Sequence, residues 1–81
     1  MVFETLNGLK WQGELGKCSI IILHRGAPGD RKVVEGSSVV EVKKSYFTYQ
    51  KNGRESTIPL HRVLEIKSGK EVIWKRKTRK G

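Results

Sequence analysis

A single cysteine, Cys18, stands among the 81 residues. It has no partner for an internal disulfide, and without a second thiol a cysteine-built zinc site within the chain is excluded. Proline occurs only at Pro28 and Pro59, and Trp, Tyr and Phe occur twice each, so few large rings are available to fill a core. No apolar run approaches the roughly 20 residues of a membrane span, and the first residues lack the basic-then-apolar order of a secretory signal. These absences predict a soluble, cytoplasmic protein with no membrane association. Acidic residues are also scarce, 8 against 17 Lys and Arg. Such scattered carboxylates give little support to a nuclease built on two carboxylate-held metals. Two histidines are too few ligands for a zinc site, so neither metal nor cofactor is expected. There is no Gly-x-Ser-x-Gly elbow and no P-loop.

What remains is basic and globular. Adding the 9 glycines to the 36% of hydrophobic residues brings the apolar fraction to about 47%, inside the globular range, so wholesale disorder is excluded. A chain of this size makes one domain with a thin core. The net charge of +9 is unevenly spread. Residues 1–16 carry −1, residues 17–50 carry +3 and residues 51–81 carry +7. Lys75, Arg76, Lys77, Arg79 and Lys80 crowd five cations into six residues, a density that attracts polyanions. The segment has no apolar face to insert into a bilayer, so a phosphate backbone is its expected target. The domain is thus expected over 1–74, with 75–81 as a basic tail, and the protein is expected to be a monomer.

Val2, Phe3, Leu6 and Leu9 fall at helical spacing, with Gly13 at the capping position, and predict a short helix over residues 2–11. Cys18–Leu23 is a short branched apolar run that reads as a buried strand. Ala27-Pro28-Gly29-Asp30 fits a type II turn, and 31–36 reads as an irregular connection. Val39–Val42 and Tyr46–Gln50 read as strands. Asn52-Gly53 is the dipeptide favoured in two-residue hairpins and joins the latter to Glu55–Ile58. Alternation about Ser68-Gly69 predicts a final hairpin. The fold class is therefore α+β: a short N-terminal helix and a mainly antiparallel sheet of about five strands that could curl into a partly open barrel. Phe3, Trp11, Phe47 and Trp74 are expected to be largely buried, leaving Tyr46 or Tyr49 as an exposed ring on which an unpaired base could stack.

Two Leu-His-Arg runs carry the functional signal. Leu23-His24-Arg25 ends an apolar strand and opens into a Gly/Pro loop; Leu60-His61-Arg62 follows Pro59. Arginine offers a bidentate fork to phosphate oxygens and histidine a switchable donor, so His24, Arg25, His61 and Arg62 facing one hollow would form a phosphate site. Glycines 26 and 29 would let backbone donors approach the same phosphate. The bland alternatives are a plain turn in which Asp30 pairs with Arg25 or Arg31, and a surface pair between Arg62 and Glu65. Two histidines would also suit a metal-independent RNA phosphodiesterase, one as base and one as acid. A third class is a basic module that docks an acidic protein.

The runs Leu6-Asn7-Gly8-Leu9-Lys10-Trp11, His24-Arg25-Gly26-Ala27-Pro28-Gly29-Asp30 and Ile58-Pro59-Leu60-His61-Arg62-Val63, together with Glu71-Val72-Ile73-Trp74, resemble the RNA cyclic group end recognition domain of small archaeal proteins of the UPF0248 type and of eukaryotic modules. The likeness spans nearly the whole chain and is strongest in the Ile-Pro-x-His-Arg segment and the Val-Ile-Trp strand. It implies binding of RNA ends that carry a 2′,3′-cyclic phosphate, in RNA processing or repair. Carried onto this chain, it assigns His61 and Arg62 to the terminal phosphate, with His24 and Arg25 completing the pocket.

Overall fold

The computed structural model describes residues 2–76. Helix α1 (Val2–Trp11) leads into seven strands: β1 (Cys18–Leu23), β2 (Arg31–Glu35), β3 (Val39–Val42), β4 (Tyr46–Lys51), β5 (Arg54–Pro59), β6 (Val63–Ser68) and β7 (Glu71–Lys75). They form two antiparallel sheets, one of four strands in the order β2-β1-β6-β7 and one of three in the order β3-β4-β5. The described residues form no closed barrel. The α+β class stands, but the sheet is divided in two and gains a strand where an irregular connection was expected. Residues Arg31–Glu35 pair with β1 along its length, from Leu23↔Arg31 to Ser19↔Glu35. No helix of the described residues is long and apolar enough to cross a membrane.

Local chemistry accounts for the joints. Helix α1 ends in a Schellman motif: the Gly13 amide donates to the Lys10 carbonyl (3.2 Å) and the Glu14 amide to the Leu9 carbonyl (2.9 Å), with Gly13 at φ +73°. Pro28-Gly29 makes the expected type II turn, closed by the Asp30 amide on the Ala27 carbonyl at 2.8 Å, with Gly29 at φ +66°. Asn52 and Gly53 both take positive φ, the signature of the I′ hairpin turn.

Leu6, Ile20, Ile22, Phe47, Val63 and Ile66 are almost completely enclosed and form the centre of the core, which the partly buried Val2, Phe3 and Leu9 of α1 extend. Each such burial contributes about 1.5–3 kcal/mol, so this seam is the stable frame of the molecule. Trp11 departs from expectation: it is 83% exposed. At 100° per residue it points about 140° away from Leu6 and 160° away from Leu9, off the stripe that faces the sheets. Phe47 is buried as expected, Phe3 and Trp74 are half-buried, and Tyr49 is buried rather than exposed.

Candidate functional site

β1 and β6 run antiparallel, so the end of one lies beside the beginning of the other. The register holds from Cys18↔Ser68 to Ile21↔Glu65, then slips by one residue so that Ile22 faces Val63. Leu64 is the extra residue of that bulge. Past this point Leu23-His24-Arg25 leaves β1 just as His61-Arg62 enters β6. The two Leu-His-Arg runs, 37 residues apart in sequence by the numbering of His24 and His61, thereby meet at one end of the central strand pair of the four-stranded sheet. Leu23, His24, Arg25, His61 and Arg62 together line a cleft of about 420 Å³. Among the described residues no carboxylate lines it.

Each half of the cleft is anchored to the core. His61 and Arg62 belong to the 3-10 turn Leu60–Arg62, which carries the chain from the three-stranded sheet to the four-stranded one. Pro59 stops β5 before it, and Leu60 and Val63 on either side are buried, 4% and 0% exposed. The Leu60 amide donates to the Ser45 carbonyl at 2.9 Å. From below, the Arg76 guanidinium donates through Nε to the Val63 carbonyl (2.8 Å) and through Nη2 to the Leu60 carbonyl (3.0 Å), and packs over the Trp74 ring at 5.2 Å. The Arg76 amide reaches the carbonyl of Leu64, the bulge residue, at 2.9 Å. On the other side, the loop from His24 to Asp30 closes on itself: the His24 amide donates to the Asp30 carbonyl (2.8 Å) and the Ala27 amide to the His24 carbonyl (3.2 Å). The Gly26 amide points to Asp30 Oδ1 at 3.4 Å.

The main chain around the loop is thus largely committed. The amides of His24, Gly26, Ala27 and Asp30 are bonded within the loop, which leaves few of its main-chain donors for an anion. The donors that the cleft presents are therefore mainly side chains. The surface-pair alternatives are also absent: Asp30 makes no ion pair with Arg25 or Arg31, and Glu65 pairs with Lys67 (3.9 Å) instead of Arg62. Among the described residues Arg25 and Arg62 make no ion pair, and all four of His24, Arg25, His61 and Arg62 are exposed. His61 also borders a second, more apolar hollow of about 500 Å³ between Phe3, Leu60, Lys44 and Arg76.

Two further expectations change. Tyr49 offers no face to a base: it is 6% exposed, lies 6.3 Å from Phe47 between ring centroids, and its hydroxyl accepts from Lys32 Nζ at 3.1 Å. It points inward because it alternates with Thr48 on the same side of β4 as Phe47. Tyr46 is half-buried. Lys75 lies in β7 and is exposed, whereas Arg76, grouped with the tail by its sequence, is bound to the turn that presents His61 and Arg62. Lys77, Arg79 and Lys80 lie outside the described residues. Sequence reasoning missed the positioning role of Arg76; only the pairing of β6 with β7 reveals which carbonyls it meets.

Residues 2–76 match the MJ1316 RNA cyclic group end recognition domain. The chain is similar to UPF0248 protein MJ1316 of Methanocaldococcus jannaschii, 36% identical over 81 residues and covering 95% of each chain. It is likewise similar to UPF0248 proteins of Methanococcus vannielii, 34% identical with 94% and 92% covered, and of Pyrobaculum islandicum, 33% identical with 90% and 87% covered. No solved structure matches. With both His-Arg runs inside the matched span, the chain belongs to the RNA cyclic group end recognition domain family.

Proposed function

We propose that this protein binds RNA ends carrying a 2′,3′-cyclic phosphate, with Arg25 and Arg62 on the phosphate oxygens and His24 and His61 completing the set of donors. The observation that carries this reading is the shared cleft: two imidazoles and two guanidiniums, none of them held by a carboxylate among the described residues, border one hollow. A cyclic phosphodiester bears one negative charge and has no hydroxyl of its own to donate. A site rich in donors and bare of acceptors favours it over a terminus ending in a 2′,3′-diol, whose hydroxyls need acceptors as well. The hollow on the other side of His61, with Phe3 and Leu60 in its wall, is where we place the terminal nucleoside. The family's name supports recognition of a cyclic RNA end, and RNA processing or repair is the setting in which such ends arise.

The test is a titration of otherwise identical short RNAs ending in 2′,3′-cyclic phosphate, 3′-phosphate or 3′-hydroxyl. Preference for the cyclic end, lost selectively in Arg62→Ala, supports the reading. Equal losses on cyclic and hydroxyl ends would refute it. Because two imidazoles line the same cleft, a second reading is a metal-independent phosphodiesterase in which one histidine acts as base and the other as acid. Opening of the cyclic phosphate in the same titration, abolished in His24→Ala and in His61→Ala, would establish it; an intact ring after prolonged incubation argues for binding alone.

A further inference from the structure

A second group of cations gathers away from the His-Arg cleft. In the hairpin of β4 and β5, Tyr49 pairs with Ser56 and Lys51 with Arg54. Side chains alternate along a strand and paired residues share a face, so all four project from one side of the hairpin. Tyr49 is covered by the core, while Lys51 and Arg54 reach past it at the hairpin tip and are exposed. From the other sheet, Lys32 on the edge strand β2 extends across the gap: its Nζ lies 3.1 Å from the Tyr49 hydroxyl and 5.7 Å from the ring centroid. Lys32, Lys51 and Arg54, with Asn52 and Ser56, line an open hollow of about 500 Å³.

The charges there are uncompensated. Among the described residues none of the three cations takes part in an ion pair. Glu35 borders an adjoining crevice without pairing with any of them. Lys51 and Arg54 stand directly opposite one another, an arrangement of like charges that destabilises a sheet. Lys32 adds a third charge from a separate sheet, held in place by the Tyr49 hydroxyl. A bound anion would convert this repulsion into attraction.

We infer that Lys32, Lys51 and Arg54 form a second anion site, which takes an internal phosphodiester of the RNA whose end occupies the His-Arg cleft. Lys32 pairs with Ile22, and Ile22 pairs with Val63, the residue after Arg62. Two strand spacings, about 10 Å, therefore separate the backbone of β2 at Lys32 from the start of β6. A single strand leaving the cleft can cover that distance within a few nucleotides. RNA supplies a phosphate at every nucleotide, whereas an acidic peptide would need carboxylates at a matching spacing. The inference rests on the RNA reading for the identity of its ligand.

The test uses the full chain and its Lys51→Gln/Arg54→Gln double variant, binding an octanucleotide with either a cyclic or a hydroxyl end, and a nucleoside 2′,3′-cyclic monophosphate. The double variant should bind both octanucleotides about tenfold more weakly at moderate salt, and its dependence of log affinity on log salt should flatten by about 0.7 for each phosphate released. Affinity for the mononucleotide should not change. An unchanged octanucleotide affinity and salt slope would overturn the second site. So would an equal loss of mononucleotide binding, or a polyglutamate peptide that binds as tightly as RNA and is lost in parallel. A wild-type protein blind to the terminus whose octanucleotide binding still falls in the double variant would overturn end recognition and keep this site. A thermal melt of the variant no lower than wild type shows that any loss is not a folding defect.

Discussion

Replacing Arg76 separates a fold-bearing role from a tail contact. The guanidinium donates two hydrogen bonds to main-chain carbonyls, at 2.8 Å to Val63 and 3.0 Å to Leu60, and covers the Trp74 ring. Hydrogen bonds from a charged donor contribute about 1.5–3 kcal/mol each, and the ring contact about 0.5–1 kcal/mol at a site open to solvent. Arg76 is only half-buried, so water replaces part of this when the side chain is removed. Arg76→Ala should therefore cost about 3 kcal/mol, a large share of the roughly 5–15 kcal/mol that stabilises a small domain. Arg76→Lys keeps the charge but not the planar fork that reaches both carbonyls at once, and should recover less than half of that. Urea denaturation of the full chain measures both, with an unchanged slope confirming that the same surface is exposed. Loosening the turn Leu60–Arg62 should also weaken binding to cyclic-ended RNA more than to hydroxyl-ended RNA. An unaltered midpoint in Arg76→Ala, or complete rescue by lysine, would show that Arg76 is an ordinary tail cation and that the turn is held by other means.

Gly36 is buried where the 3-10 turns 15–17 and 36–38 meet, and a Cβ there would run into the Leu15 carbonyl oxygen and come within 2.8 Å of that of Cys18. Gly36→Ala should lower stability by about 2–3 kcal/mol in thermal denaturation, because backbone and not a flexible side chain must move. Cys18 is 2% exposed and its thiol donates to the Glu14 carbonyl at 3.4 Å. Burial, reinforced by the Glu14 carboxylate, pushes the thiol above its ordinary pKa, so the reactive thiolate is scarce at neutral pH. Its reaction with a thiol reagent should be slower than that of the unfolded chain by on the order of a hundredfold, and should not speed up until the protein is denatured or the pH is well into the alkaline range. Truncation after Arg76 removes Lys77, Arg79 and Lys80 without touching the bonds under the turn. It should weaken cyclic-ended and hydroxyl-ended RNA alike and flatten the salt dependence, as binding assays over a salt series would report.

The elements governed by local chemistry were legible in the sequence: α1 from its apolar spacing and Gly13, β1 from its isoleucines, and two hairpins from Asn52-Gly53 and Ser68-Gly69. β2 was not, because an edge strand with Arg31, Lys32 and Glu35 buries only Val34 fully and shows little of the apolar run expected of a strand. The division into two sheets depends on which strands pair: Pro59 marks where β5 stops, but nothing local in the turns 36–38 and 60–62 tells that the chain changes sheet there. For the site, residue chemistry singled out His24, Arg25, His61 and Arg62, but their meeting required the non-local pairing of β1 with β6 and the bulge at Leu64. Trp11 and Tyr49 were each assigned to the wrong environment for a related reason. Aromatic character indicates a need for contact, while the angular position on a helix or the face of a strand decides whether contact is available. The second cation cluster was invisible for the same cause, since Lys32 joins Lys51 and Arg54 only across the gap between sheets.

The proposed function requires both His-Arg pairs to engage one phosphate. It is tested most directly by following the imidazole resonances of His24 and His61 in one NMR titration with a nucleoside 2′,3′-cyclic monophosphate. Both should shift together along curves with a single dissociation constant, and Arg25→Ala and Arg62→Ala should each weaken the two curves in parallel. Movement of only one imidazole, or of the two with separate constants, would contradict it.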